Sequence, residues 1–163
     1  MGDLTAQLMD AAVVGNLKEV RRLLMQRADI HADGDRALRC AASNGHLYVV
    51  KFLVEQGADI HAESNKALRW AAHEGHLDIV EYLAEQGADI HAGDECALFW
   101  AADNGHIEVV KFLLEKGASP EVAKRCGTQE VKDFCKAYEL RRMLGRKLES
   151  HAPSKSKSPK LKI

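Results

Sequence analysis

Histidine is the residue type with the most evident chemical potential in this sequence, because six of the eight histidines recur at intervals of 30 residues. They form two ladders, His31, His61 and His91, and His46, His76 and His106. Neutral imidazole is a common zinc ligand. Stacked helical units lie about 8–10 Å apart, whereas ligands that share a zinc ion each lie about 2 Å from it. The spacing favours structural histidines, with metal binding as the alternative, and we expect no cofactor.

Residues that could do covalent chemistry show no catalytic pattern. The four cysteines have no C-x-x-C pair and no regular spacing, which predicts free thiols in a reducing compartment, the cytosol or the nucleus. They are Cys40, Cys96, Cys126 and Cys135. The sequence has no glycine-rich phosphate loop and no G-x-S-x-G motif. We therefore expect a protein that is not an enzyme.

Two tryptophans, Trp70 and Trp100, also lie 30 residues apart. On a helical wheel with Leu68 at the origin, Ala71 and Ala72 lie within about 60° of it, and Trp70 lies about 200° away. Both indoles should therefore point away from the apolar strip. Two interpretations are open: each indole packs in the seam between repeats, or the pair forms the centre of an exposed protein interface.

The second interpretation predicts that one face of the chain binds a single protein partner. The candidate partner-binding residues are Arg39, Cys40, Asn44, Arg69, Trp70, His73, Glu74, Phe99, Trp100, Asp103 and Asn104. Residues 33–36, 63–66 and 93–96 would form the rim of this surface. The acidic character of the rim suggests a basic patch on the partner. We expect no closed cleft and so no small-molecule substrate.

A repeated unit of 30 residues must position these side chains. In residues 63–92 a first helix places Leu68, Ala71 and Ala72 on one face, and Gly75 then interrupts the helical pattern. A second helix follows, with apolar residues at 77, 79, 80, 82 and 83. A fixed period of this length predicts a solenoid, in which neighbouring units build the core together.

The segment ALRWAAHEGHLDIVEYLAEQGADIHA, residues 67–92, resembles the ankyrin repeat. The resemblance implies an all-α solenoid of helix-turn-helix units that acts as a protein-binding adaptor or inhibitor. These units are shorter than the usual repeat of about 33 residues, and the difference falls where the family has a protruding hairpin, so the hairpin loops should be blunt. Short repeats of this kind are similar to those of giant-virus and bacterial ankyrin proteins, which suggests an antagonist of a host protein in the host cytosol.

The family resemblance also gives the histidine ladders a role. The histidines that begin at His31 stand where ankyrin proteins have an asparagine that hydrogen-bonds between neighbouring hairpins. The Gly-His histidines that begin at His46 would brace loop backbone. Ankyrin proteins can also be hydroxylated at the position that matches His61.

The repeat boundaries divide the chain into six segments. These are an N-terminal capping repeat, 1–32; three repeats, 33–62, 63–92 and 93–120; a degenerate C-terminal cap with a long helix, 121–148; and a disordered basic tail, 149–163. Residues 1–123 carry a net charge of −9 and residues 124–163 a net charge of +8. The basic end could bind nucleic acid, which is the alternative function, or keep the cap soluble. No apolar run approaches the roughly 20 residues needed to span a bilayer, so no membrane partner is expected.

Overall fold

A computed structural model of the chain describes residues 3–150, with side chains up to residue 145. Across this range the chain forms ten helices and no strand. They are α1 (Leu4–Val13), α2 (Leu17–Met25), α3 (Ala32–Ser43), α4 (Leu47–Glu55), α5 (Ala62–Glu74), α6 (Leu77–Glu85), α7 (Ala92–Asp103), α8 (Ile107–Glu115), α9 (Pro120–Cys126) and α10 (Gln129–Ser150). The predicted all-α solenoid is confirmed.

The helices pack in two layers. The inner layer contains α1, α3, α5, α7 and α9 side by side, and the outer layer contains α2, α4, α6, α8 and α10 in the same order. The last inner helix is short and begins at Pro120, whose fixed φ suits a first helical turn. Helix α10 continues to Ser150, two residues past its predicted end. The rest of the predicted disordered tail, residues 151–163, lies outside the described residues.

A continuous apolar strip runs along the stack. Leu8, Leu38, Leu68 and Leu98 occupy the same position in four successive inner helices, and each is at most 1% exposed. Alanine pairs at 11–12, 41–42, 71–72 and 101–102 are buried beside them. Burial of one leucine side chain contributes about 1.5–3 kcal/mol. Because the alanines are small, adjacent inner helices approach closely, and neighbouring repeats share the core.

The break between inner and outer helix is a Gly-His pair that packs on the preceding repeat. Gly75 has a φ of +80°, and a Cβ atom added to it would lie 2.5 Å from Nδ1 of His106. Nε2 of His106 lies 2.9 Å from the carbonyl oxygen of His73. His46 and His76 make equivalent contacts of 2.8 and 3.1 Å with the preceding repeats. These histidines brace loop backbone, as the family resemblance implied.

Substitution of Gly75 by alanine should therefore lower the free energy of unfolding by about 2–3 kcal/mol. The loss has two causes: alanine is strained at a positive φ, and its Cβ atom would displace the His106 ring. Gly87 provides the matched control, because its φ is +96° and an added Cβ would meet no atom within 4 Å. Gly87→Ala should cost only about 1 kcal/mol. Urea denaturation followed by circular dichroism measures both losses, and equal losses would contradict the role of the His106 contact.

A left-handed turn of three residues stands in place of the hairpin. Asp33, Gly34 and Asp35 have φ values of 51°, 64° and 55°. Residues 63–65 and 93–95 have φ values between 52° and 66°. A residue other than glycine in this region costs on the order of 1 kcal/mol or more. The turn therefore requires stabilising contacts from elsewhere in the stack.

The last residue of each turn supplies such a contact. Oδ1 of Asp35 accepts a hydrogen bond of 2.8 Å from the backbone N–H of Asp59, in the segment that leads into the next turn. Oδ1 of Asn65 accepts one of 2.9 Å from the N–H of Asp89. Nδ1 of His31, at the end of the capping repeat, lies 3.1 Å from Oδ1 of Asp35. The hydrogen bond towards the neighbouring turn that the family resemblance implied for this histidine ladder is thus made by the residue four positions later.

Candidate binding surface

An open groove on the inner layer contains both tryptophans. Its volume is about 380 Å³, and it is lined by Ser43, Trp70, His73, Glu74 and Trp100. The two indoles are 40% and 39% exposed. The two interpretations, packing in the seam and exposure at an interface, therefore each hold in part. More than half of each indole is covered by the repeats, and the remainder faces the groove. We call this depression the tryptophan groove.

The two indoles have different neighbours. Phe99 and His73 approach the Trp100 ring in edge-to-face arrangements, with centroid distances of 5.1 and 5.3 Å. The Trp70 ring instead lies near two cations, Nζ of Lys66 at 5.3 Å and the guanidinium carbon of Arg39 at 5.9 Å from its centroid. Trp100 is thus fixed by aromatic packing, and Trp70 by cations of its own chain.

Arg39 and Arg69 stabilise the left-handed turns. Arg39 is 8% exposed, and its Nη2 donates to the carbonyl oxygen of Asp33. The half-buried Arg69 donates from Nη2 to the carbonyl oxygen of Glu63 at 2.9 Å. The prediction that Arg39 is presented to a partner is wrong in this respect, because a buried guanidinium bound to its own repeat is not available for a direct contact.

The third full repeat holds its turn differently. Phe99 stands where the two preceding repeats have arginine. The thiol of Cys96 donates to the carbonyl oxygen of Gly93 at 2.7 Å. Phe99 is half-buried and packs against Trp100. The sequence predicts Phe99 as a partner-binding residue; in the structure its side chain contacts Trp100 and so orients the indole.

The remaining predicted site residues surround the groove or support its helices. Asn44 and Asn104 are exposed and donate from Nδ2 to the carbonyl oxygens of Cys40 and Trp100, both at 2.8 Å. Cys40 itself is half-buried. Asp103 is exposed one helical turn after Trp100. The predicted surface is thus polar around its two exposed indoles.

Histidine and glutamate meet at the groove. Nδ1 of His73 lies 2.8 Å from Oε1 of Glu74, and 47% of the Glu74 side chain is exposed. Ser43, which lines the opposite side, belongs to the preceding repeat. The groove therefore combines residues of three successive inner helices, α3, α5 and α7.

The predicted acidic rim is smaller than the sequence indicated. Asp35 and Asn65 are buried, and Glu95 is half-buried, because their side chains accept hydrogen bonds from backbone N–H groups 24 positions later in the chain. Their period of 30 residues and their place four residues after a histidine were the signal that sequence reasoning missed. The prediction that all of residues 33–36, 63–66 and 93–96 line a rim is wrong at the third residue of each turn.

The exposed acids of this face are only partly neutralised. Arg36 lies 3.6 Å from Asp33, and Lys66 lies 3.9 Å from Glu63. Asp94 and Asp103 are exposed, and within the described part of the chain neither has a cationic partner within 4 Å. Acidic charge is thus concentrated at the end of the face that carries Trp100.

The basic end of the chain is partly paired within itself. Nζ of Lys124 lies 2.6 Å from Glu121 and 3.0 Å from Glu139, and these hydrogen bonds raise the pKa of Lys124. Lys136 lies 3.0 Å from Asp133. These pairs reduce the positive charge that residues 124–145 present to a polyanion.

Residues 3–145 offer little support for nucleophilic thiols, a metal site or a membrane span. Burial raises the pKa of the Cys126 and Cys135 thiols, so both are poor nucleophiles at neutral pH. Among the described residues no three His, Cys, Asp or Glu side chains converge as metal ligands would. No described helix combines the length and apolar character of a membrane span.

The comparison with protein families agrees with the repeat and the fold. A family model described as ankyrin repeats, in three copies, matches residues 8–94 and again residues 63–124. The matched range covers well over half of the chain. No curated protein matches the sequence. Ankyrin repeats generally serve as modules for protein–protein interaction and are typically not enzymes. With its 30-residue period, two-layered stack and matched range, this chain belongs to the ankyrin repeat family.

Proposed function

We propose that the chain binds one protein partner through the tryptophan groove and the polar surface around it, and acts by occluding or tethering that partner. The observation that carries this proposal is a pair of indoles, each about two-fifths exposed, on an otherwise polar face. Half-exposed tryptophans near the centre of a surface are typical of interface hot spots. An adaptor and an inhibitor would use the same surface and differ only in what the partner does when bound.

The packing of the repeats supports this function. Both tryptophans project from inner helices whose opposite faces are buried, at Leu68 and Leu98, in the shared core. A surface fixed in this way loses little conformational entropy when it binds. The groove is an open depression of about 380 Å³ rather than an enclosed cavity. That shape suits a projecting side chain of a protein better than a small molecule.

Affinity capture with the full chain tests the proposal. The wild type and a Trp70→Ala/Trp100→Ala variant would be compared as bait in cytosolic extract of the native cell, with captured proteins identified by mass spectrometry. The control is Tyr48→Ala, because Tyr48 is an aromatic residue on outer helix α4 and is 77% exposed. A protein retained by the wild type and the control but lost from the double variant supports the proposal. Retention by all three opposes it.

The nucleic-acid alternative is tested by removing residues 151–163, which contain four lysines. Under our proposal the shortened chain should keep its partner affinity unchanged, because the tryptophan groove is intact. Its retention on a heparin column should fall, since fewer cations then meet the polyanion. Loss of partner binding on this truncation would instead favour the basic end as the functional site.

A further inference from the structure

We propose that the tryptophan groove receives a cationic side chain of the partner, arginine or lysine, which stacks on Trp100 and pairs with Glu74. This inference rests on the proposed function and specifies its chemistry. The partner's contact segment must then carry at least one exposed cation. The position of the groove between three inner helices makes this a central contact rather than a peripheral one.

The surroundings of Trp100 are the first reason. Its edge contacts with His73 and Phe99 hold the indole in place, at centroid distances of 5.3 and 5.1 Å. Within the described residues no lysine or arginine lies over this ring, in contrast to Trp70 with Lys66 and Arg39. The face of an indole attracts cations more strongly than the other aromatic side chains do. Trp100 is therefore a fixed indole whose cation site the described chain does not fill.

The charge around the groove is the second reason. Glu74 lines the same groove as Trp100, and 47% of its side chain is exposed. Asp103 and Asp94 are exposed on α7, the helix that carries Trp100. An acidic surround of this kind attracts a cation and disfavours an anionic or carboxylate-rich segment. The acidic residues around the groove and the face of the Trp100 indole thus both favour a cationic side chain.

The side chains of the chain itself do not compete strongly for this position, and His73 contacts only Oε1 of the Glu74 carboxylate in the described residues. The guanidinium of Arg39 is bound to the carbonyl oxygen of Asp33 and is buried. The ammonium of Lys66 lies 3.9 Å from Glu63 and 5.3 Å from the Trp70 centroid. Both lie at the Trp70 side of the groove. An incoming cation would meet the Trp100 ring on α7 and the Glu74 carboxylate on α5, which line the same groove.

The composition of the chain makes a direct test possible, because its two tryptophans are Trp70 and Trp100. Both indole N–H signals in a ¹⁵N–¹H NMR spectrum therefore report on this groove, and a Trp70→Phe variant assigns them. The full chain would be titrated with Nα-acetyl-arginine amide and, separately, with the neutral isostere Nα-acetyl-citrulline amide. A second pair, Nα-acetyl-lysine amide and its Nε-acetylated form, distinguishes ammonium from guanidinium.

We expect the Trp100 indole signal to shift with at least one cationic probe, at an affinity about three- to ten-fold above that of its neutral counterpart. Glu74→Gln, an exposed and isosteric change, should reduce that preference to less than about half. Tyr48→Leu on the outer layer should leave the titration unchanged. Equal shifts with charged and neutral probes, no shift with any probe, or full preference in Glu74→Gln would each overturn the inference.

The outcomes separate this inference from the proposed function. If the tryptophan variants lose the partner but the probes show no charge preference, the groove binds a protein by another chemistry and only the inference fails. If the cationic probes shift Trp100 but the partner is retained by the tryptophan variants, the groove has the proposed chemistry and the proposed function fails.

Discussion

A chain in which Trp70 and Trp100 are both replaced by alanine should bind its protein partner at least about 100-fold more weakly than the wild type. A hot-spot tryptophan typically contributes about 2 kcal/mol or more, which corresponds to roughly 30-fold in affinity for each substitution alone. Both indoles line one groove, so their losses are not expected to add exactly as independent terms would. The loss of affinity expected for the double variant, at least about 100-fold, is therefore set below the product of the two single losses.

The measurement must separate affinity from folding, because more than half of each indole is covered by the repeats. Titration calorimetry at a temperature where circular dichroism shows each variant fully folded provides that separation. Tyr48→Ala removes a more exposed aromatic side chain from the outer layer and should change affinity by less than about twofold. A double variant that is folded and binds within threefold of the wild type would contradict the proposed function.

Leu68→Ala should have the largest effect on stability, a loss of about 3–5 kcal/mol in the free energy of unfolding. Leu68 is fully buried in the central repeat and contributes to the interfaces on both sides of α5. Removal of a buried leucine costs about 2–5 kcal/mol, from lost burial and from the cavity left behind. In a solenoid, stability depends on each repeat and on its contacts with its neighbours, so a central defect disturbs two interfaces.

Two matched leucines serve as controls for that prediction. Leu8 is equally buried and occupies the same repeat position, but α1 has an inner-layer neighbour on one side only within the described chain. Leu8→Ala should therefore cost about 1–2 kcal/mol less than Leu68→Ala. Leu140 is 58% exposed on α10, and its replacement by alanine should change stability by no more than about 0.5 kcal/mol. Equal losses at Leu8 and Leu68 in urea denaturation would argue against nearest-neighbour coupling.

The core and the outward direction of the tryptophans were predictable from local pattern. Leu68 and its buried alanines follow a helical period, and Trp70 lies about 200° from Leu68 on the same helix. The structure agrees, with Leu68 fully buried and Trp70 two-fifths exposed. Helical geometry alone relates these positions, so no knowledge of distant residues was needed.

The left-handed turns were not predictable in the same way. Asp33, Asp35 and Glu63 are residues other than glycine with positive φ, a conformation that local preference disfavours. It is stabilised by side-chain contacts with other parts of the stack, such as the hydrogen bond from Asp59 to Asp35 across 24 positions. Arg39 is buried for the same reason, since its guanidinium donates to the turn. A charged side chain at that position would ordinarily be expected on the surface.

The sequence by itself determined that this chain is a stack of helical pairs with a 30-residue period, because the positions of its leucines, alanines and glycines repeat in register. Tertiary structure alone decided which polar residues remain on the surface. Asp35, Asn65 and Arg39 are drawn into contacts within the stack, whereas Glu74 and Asp103 stay exposed beside the two indoles. These hydrogen bonds join side chains to backbone groups that meet only once the helices have packed, and a periodic sequence pattern does not specify which polar atoms meet.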